Sequence, residues 1–272
     1  MADFEFLEDP ITHQWIVLAP RRSKRPDETD RSQDICPFCI GREDDEPELF
    51  RIGSSTDKKD WSVRVVANKF PFAPIHEVII HSPDHHKNLD ELPLSQAIAV
   101  FETYKERYLA HHQKGQVYIF QNHGHDGGES LPHPHSQLTV IPHHIMLSMP
   151  QRKEPDGEAI EKEHFTLFCP ETSQWPDEVW LVPKKRHQTF GQSTDREVAE
   201  LAEIVQKLIQ VMDERHGNEF PFNYYIYPGV DWYFRFSPRK KSLGGFELGT
   251  GIFVNSTDPK ETIAFLKAKF EE

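Results

Sequence analysis

The chain repeats its own pattern at an interval of roughly one hundred residues, and this duplication limits the folds open to it more than any other feature. The apolar strand pattern Glu77-Val78-Ile79-Ile80, followed by the turn Ser82-Pro83-Asp84-His85-His86, is echoed by Glu178 to Pro183 and then Lys184 to His187. A stripe at helical spacing, Leu94, Ala97, Ile98, Phe101 and Tyr108, is echoed by Val198, Leu201, Ala202, Val205, Leu208, Ile209 and Met212. Thr194 and Glu197 form a capping box in front of that second stripe. The strand Gln116 to Gln121, with the polar loop after it, is echoed at Phe222 to Gly229. One strand, helix, strand, strand unit therefore occurs twice. Residues 151–158, charged and broken by Pro155 and Gly157, are the natural joint, giving units of 1–150 and 151–272.

The two copies differ where chemistry is expected. In the first, Leu131-Pro132-His133-Pro134-His135-Ser136-Gln137 leads into Leu138 to Pro142, which reads as a buried strand closed by proline. Side chains alternate along an extended segment, so His133 and His135 point to one side, and Pro134 rules out a helical turn between them. A neutral imidazole, with an ordinary pKa near ~6.5, is a good nucleophile at neutral pH once its other nitrogen is tied to a fixed acceptor. His135 suits that role. Gln137 can hold a phosphate oxygen but cannot move a proton. In the second copy Trp232-Tyr233-Phe234-Arg235-Phe236-Ser237-Pro238 occupies the corresponding place without histidines, so no second metal is expected there.

The net charge of −13 argues against nucleic acid or an anionic membrane as partner, since either needs a basic face. No apolar run approaches a membrane span, and Met1 to Glu5 lacks the look of a signal peptide, so a cytoplasmic location is expected. Three cysteines, two of them in Cys36-Pro37-Phe38-Cys39, fit a reducing compartment and suggest half of a zinc site. Histidines must complete it. His133 is one candidate, and His85 or its neighbour His86 the other. Arg21-Arg22-Ser23-Lys24-Arg25, the densest positive cluster, reads equally as a solvated loop or an anion site, and its place just after a strand favours phosphate. Gly244 to Asn255 alternates glycine with an isolated carboxylate and reads as a ligand-facing strand end.

These residues carry a resemblance. His133-Pro134-His135-Ser136-Gln137 resembles the active-site signature of the galactose-1-phosphate uridylyltransferase family, the nucleotidyl-transferring branch of the histidine-triad superfamily. Asp9-Pro10, Gln14 to Val17, Arg22 to Pro26, Cys36 to Cys39, Asn68-Lys69-Phe70, Ser82 to His85 and Gly245 to Gly251 resemble further landmarks, in family order. The resemblance implies an α+β fold of two histidine-triad-like repeats, each an antiparallel sheet with packed helices. It implies ping-pong transfer of a nucleoside monophosphate, UMP first among candidates, from a nucleotide sugar to a hexose 1-phosphate through His135. Gln137 would hold a non-bridging oxygen, Arg22 and Arg25 would face phosphate, and Asn68, Asn122 and Ser130 would hold nucleotide and phosphates. Phe246 and Glu247 would meet the sugar, zinc would sit on Cys36, Cys39, His85 and His133, and the protein would be a homodimer. Ser136 and Phe246 to Gly251 are equally similar to ADP-glucose phosphorylase relatives, which makes adenylyl transfer the alternative. A zinc-stabilised nucleotide-binding module with a structural His135 is the reading from a different class.

Overall fold

The computed structural model describes residues 4–24 and 36–271. A hairpin of β1 (Glu5–Glu8) and β2 (Trp15–Leu18) stands apart from a ten-stranded antiparallel sheet. The strands of that sheet are β3 (Glu48–Gly53), β4 (Trp61–Ala67), β5 (Ile75–Ile80), β6 (Gln116–His123), β7 (His135–Ile141), β8 (Ala159–Glu161), β9 (Phe165–Phe168), β10 (Val179–Pro183), β11 (Phe222–Ile226) and β12 (Phe234–Pro238). They lie in the order β3-β4-β5-β7-β6-β11-β12-β10-β9-β8. Four helices complete the fold: α1 (Leu94–His111), α2 (Asp195–His216), α3 (Gly245–Thr250) and α4 (Pro259–Glu271).

Read from its middle, the sheet is a palindrome. β4-β5-β7-β6 on one side mirrors β9-β10-β12-β11 on the other, and α1 corresponds to α2. The duplicated pattern is thus an α+β fold of two repeats, each an antiparallel sheet with helices on it. The half-sheets join edge to edge where β6 pairs with β11, Phe120 opposite Tyr225 and Asn122 opposite Asn223. That union removes two unpaired strand edges from solvent.

One sheet face is covered by α1 and α2. Alternation sends Ile79, Ile119, Leu138, Leu181, Tyr224 and Phe236 into this layer, against Phe101, Tyr104, Leu201, Val205 and Leu208 of the helices. α2 starts as its capping box requires: Thr194 Oγ1 accepts from the Glu197 N–H at 3.2 Å, while the Glu197 carboxylate accepts from the Thr194 N–H. The opposite face is covered only at its flanks. Phe38, Trp61, Val66, Val78 and Ile80 cluster at one end, and Phe168, Trp180, Val182 and Tyr233 at the other. Between them Phe120, Tyr225 and Arg235 line a cavity. No helix of the described residues is long and apolar enough to cross a membrane.

Beneath the open face a polar network crosses the repeat boundary. The Ser136 hydroxyl meets His81 Nε2 at 2.6 Å and the Tyr104 hydroxyl, and Tyr104 reaches the Tyr224 hydroxyl at 2.8 Å. Burial, aided by His135, His133 and His123, holds His81 well below its ordinary pKa, and burial lowers His123 to about 4. Both imidazoles are therefore neutral in the fold and protonate near ~6.5 once unfolded. Their contribution is complete above pH ~6.5 and is lost as the pH falls toward 4. The urea midpoint should drop progressively over that interval, reflecting a loss of unfolding free energy on the order of 2–3 kcal/mol from His123 alone. A midpoint flat from pH 7 to pH 4.5 would contradict this.

Candidate active site and metal centre

The knuckle Cys36 to Cys39 is a turn in which the Phe38 N–H donates to Cys36 Sγ at 3.4 Å. Phe38 is buried and anchors the knuckle against β4 and β5. Its ring packs edge-on against both His133 and His135, with centroids 6.0 and 5.4 Å away. After β5 the chain turns at Ser82, whose hydroxyl accepts from the Asp84 N–H at 3.1 Å, and this turn brings His85 back to the knuckle. The ligand atoms of Cys36, Cys39, His85 and His133 lie within 4.8 Å of one another. His86 is exposed and lies outside that group.

The geometry suits a four-coordinate cation. Cys36 Sγ is 3.6 Å from His133 Nδ1, and Cys39 Sγ is 3.3 Å from His85 Nδ1 and 3.7 Å from His133 Nδ1. Tetrahedral zinc, with bonds of ~2.3 Å to sulfur and ~2.0 Å to nitrogen, sets such ligands about 3.5 Å apart. His133 Nε2 donates to the Ser82 carbonyl at 2.9 Å, which leaves Nδ1 free to coordinate. Burial lowers His133 to about 4, the neutral form a metal requires, and raises the Cys36 thiol to about 11. Metal binding there releases a thiol proton.

His135 begins β7 and is buried on the open side of the sheet. Its Nδ1 lies 2.8 Å from the His133 carbonyl. The carbonyl can only accept, so Nδ1 carries the proton and Nε2 keeps its lone pair. The same residue thus supplies a metal ligand through its ring and a tautomer lock through its backbone. Two residues on, Gln137 Oε1 accepts from His76 Nε2 at 2.8 Å and from Asn68 Nδ2 at 3.4 Å. His76 Nδ1 accepts from the Phe72 N–H at 3.4 Å, which favours the His76 proton on Nε2, directed to Gln137 at 2.8 Å over the Asn68 amide nitrogen at 3.1 Å. Asn68 is oriented in turn, its Oδ1 accepting from the Phe70 N–H at 2.9 Å. With its oxygen tied down, Gln137 presents its NH2 group as a donor.

Arg22 joins the same assembly from a short 3-10 helix, Pro20–Lys24. Its guanidinium donates to the Phe70 carbonyl at 2.8 Å and lies over the Phe72 ring, which packs against His76. Arg25 lies outside the described residues. Asn122 Oδ1 accepts from Asn223 Nδ2 at 2.9 Å, across the repeat boundary. Ser130 sits half-buried in the loop after β6. Gly244 to Asn255, expected as a strand end, is instead α3 and the coil after it. Glu247 explains the difference: its carboxylate accepts from the Gly244 N–H at 3.1 Å as an N-terminal cap, and Gly251 at φ 69° closes the helix left-handed. Glu247 also takes Lys241 Nζ at 3.3 Å, while Phe246 is 53% exposed and available to a partner outside this chain.

Nothing in the sequence singles out His76. Its signal was its place in a strand on the face opposite Glu77, visible only once β5 is paired with β7, where His76 stands opposite Thr139 and Val78 opposite Gln137.

The duplicated α+β sheet that carries this imidazole and the Cys2His2 cluster has counterparts among known proteins. The pattern describing the N-terminal domain of galactose-1-phosphate uridyl transferase matches residues 73–144. The chain is 26% identical to ADP-glucose phosphorylase of Arabidopsis thaliana, over 97% of this chain and 92% of that one. It is 25% identical to galactose-1-phosphate uridylyltransferase of Thermotoga maritima, over 97% and 98%. The crystal structure of the Arabidopsis thaliana ADP-glucose phosphorylase with bound ADP-glucose superposes with a TM-score of 0.73 at 26% identity, covering 97% and 98% of the two chains. A uridylyltransferase structure, at a TM-score of 0.78 and 22% identity over 98% of each chain, shares the fold. The resemblance to the galactose-1-phosphate uridylyltransferase family, which includes ADP-glucose phosphorylase relatives, therefore extends along almost the whole chain.

Proposed function

We propose that the protein transfers a nucleoside monophosphate between phosphorylated sugars through a covalent adduct on His135. The observation that carries this is the His135 Nδ1 contact with the His133 carbonyl, which places the ring proton on Nδ1 and the lone pair on Nε2. In the first step the Nε2 lone pair attacks the α-phosphorus of a nucleotide sugar. An N–P bond forms, the P–O bond to the sugar phosphate breaks, and that electron pair leaves on the sugar 1-phosphate. In the second step a phosphate oxygen of the acceptor forms the new P–O bond and the N–P electrons return to Nε2. The Nδ1 proton stays with the His133 carbonyl throughout.

Gln137 donates to a non-bridging oxygen as charge builds there, and Arg22, Arg25, Asn68, Asn122 and Ser130 hold the remaining phosphate and nucleotide groups. Phe246 and Glu247 meet the sugar of a second subunit's site in a homodimer, a role supported by the exposure of Phe246. Zinc is the ion proposed for Cys36, Cys39, His85 and His133. A closed Cys2His2 set is structural: it ties the knuckle to the strand that carries His135. Residues 1–150 form the catalytic domain and residues 151–272 the degenerate one, in a cytoplasmic enzyme.

UMP is the group first proposed for transfer. AMP is the second reading, favoured by the similarity to the Arabidopsis thaliana ADP-glucose phosphorylase along 97% of this chain. Isotope exchange decides between them. With no second acceptor, labelled glucose 1-phosphate should enter either UDP-glucose or ADP-glucose, and the donor that exchanges names the base. No exchange into either would contradict ping-pong transfer with both.

His76 provides a further prediction. With His76→Phe, Gln137 loses its strongest anchor and its amide is free to turn its oxygen toward phosphate. Exchange should slow by about tenfold to a hundredfold, the cost of about 1–3 kcal/mol for one lost and misaligned hydrogen bond. A rate within twofold of wild type would remove His76 from the site.

A further inference from the structure

One row of paired residues crosses the sheet from β4 to β9. It runs Val66, Val78, Gln137, Phe120, Tyr225, Arg235, Trp180 and Phe168. Read from either end, Arg235 takes in the second repeat the place that Gln137 takes in the first. Two residues earlier, Tyr233 replaces the nucleophilic imidazole and gives its hydroxyl to the Pro150 carbonyl at 2.6 Å. The second repeat has lost its nucleophile but kept a polar group where the first holds phosphate.

Arg235 lines a cavity of about 260 Å³ on the open sheet face, together with Phe120, Trp175, Tyr225, Ser237 and Arg239. At ~30 Å³ per molecule this is space for roughly nine waters, enough for a ligand rather than for a stray solvent molecule. Phe120, the direct neighbour of Gln137, forms one wall, so the cavity opens off the proposed transfer site.

The donors of this cavity are unevenly matched. Arg235 places one Nη on the Tyr225 hydroxyl at 3.0 Å and the other on Glu178 at 2.7 Å and Gln174 at 2.9 Å, but its Nε is buried without a hydrogen-bond partner. Arg239 stacks its guanidinium on Trp175 at 4.1 Å, and its Nε is also buried and unpartnered. Asp126 acts on Arg239 through space, but among the described residues no carboxylate forms an ion pair with it. A buried N–H without an acceptor costs about 1–3 kcal/mol, and charged donors cost more. Two such donors, a guanidinium without a salt bridge and the Ser237 hydroxyl around one cavity ask for a ligand with several acceptor oxygens and negative charge. That is a phosphate oxyanion.

We infer that Arg235, Arg239 and Ser237 form a second oxyanion subsite that takes a phosphate group, set apart from His135 and Gln137 but bordering the transfer site through Asn122, which also lines this cavity. Three strand spacings at ~4.8 Å separate Gln137 from Arg235, about 14 Å between backbones, so one phosphate cannot serve both sites. The group held at Arg239 is either free inorganic phosphate or the remote phosphate of an acceptor whose other phosphate is the nucleophile. The acceptor role rests on the transfer reading above; the binding itself does not.

Titration calorimetry with inorganic phosphate and with glucose 1,6-bisphosphate, on wild type, Arg239→Gln and Arg239→Lys, tests this. Matching thermal melts establish that the variants are folded. Arg239→Gln should weaken binding of at least one probe tenfold or more, with partial recovery in Arg239→Lys, which restores the charge without the fork or the stacking plane. Loss for both probes identifies a free-phosphate site, and loss for the bisphosphate alone identifies the remote group of an acceptor. Failure of His135 to form an adduct would overturn the transfer reading while leaving these titrations standing. No saturable binding of either probe at millimolar concentration, or binding indifferent to Arg239→Gln, would overturn the subsite.

Discussion

His135→Ala should abolish nucleotidyl transfer, lowering the turnover rate by at least about four orders of magnitude, since removing a nucleophile leaves only binding and electrostatic stabilisation to act. The fold should survive the change. His135 lies at the start of β7 on the side away from the helical layer, and its ring Nδ1 bonds to the carbonyl of His133, two residues earlier in the chain. The melting temperature should therefore move far less than the rate. Steady-state transfer assays beside a thermal melt check both halves. A variant that retains a tenth of wild-type transfer would make His135 a binding residue, and the zinc-stabilised binding module would become the better account.

Loss of the metal should be the largest single blow to stability. Cys36→Ser removes one thiolate of a closed four-ligand set and leaves Cys39, His85 and His133, whose ligand atoms converge within 4.8 Å, without their common partner. A cost of about 3–5 kcal/mol lowers the melting temperature by roughly 10 °C in a domain of this size. Phe38 makes the damage spread, because its ring touches both His133 and His135. Transfer should fail only after the knuckle has loosened, so at low temperature Cys36→Ser should keep part of its activity. Metal analysis and calorimetry on the wild type, the chelated protein and Cys36→Ser decide the matter. Stoichiometric zinc with an unchanged melting temperature in the variant would show that the knuckle is not its site.

Much of this fold was legible because it was written twice. Strand, turn, helix and strand recur in both halves, and the sheet order repeats them as a palindrome. The edge-to-edge union through β6 and β11 was not legible, since nothing along one strand says which other strand will lie beside it. The Cys-x-x-Cys knuckle and the His133 and His135 pair stood out because their spacing carries geometry. The choice between His85 and His86 needed the turn at Ser82 and Asp84 to aim one ring inward. Gly244 to Asn255 misled because a glycine-rich alternation fits a bulged strand as well as a short capped helix, and only Glu247 folding back on the Gly244 N–H separates the two. His76 and Arg239 were silent in the sequence for a simpler reason. Each acquires its meaning from a residue distant in the chain, Gln137 in one case and Trp175 in the other.

Intact-protein mass spectrometry tests the central claim most directly. Zinc-loaded wild type and His135→Ala are mixed with UDP-glucose and with ADP-glucose in turn, with no acceptor present. Wild type should gain the mass of UMP or of AMP, His135→Ala should gain nothing, and addition of a sugar 1-phosphate should discharge the adduct. A wild-type mass unchanged by both donors, or an adduct that persists in His135→Ala, would contradict transfer through this histidine.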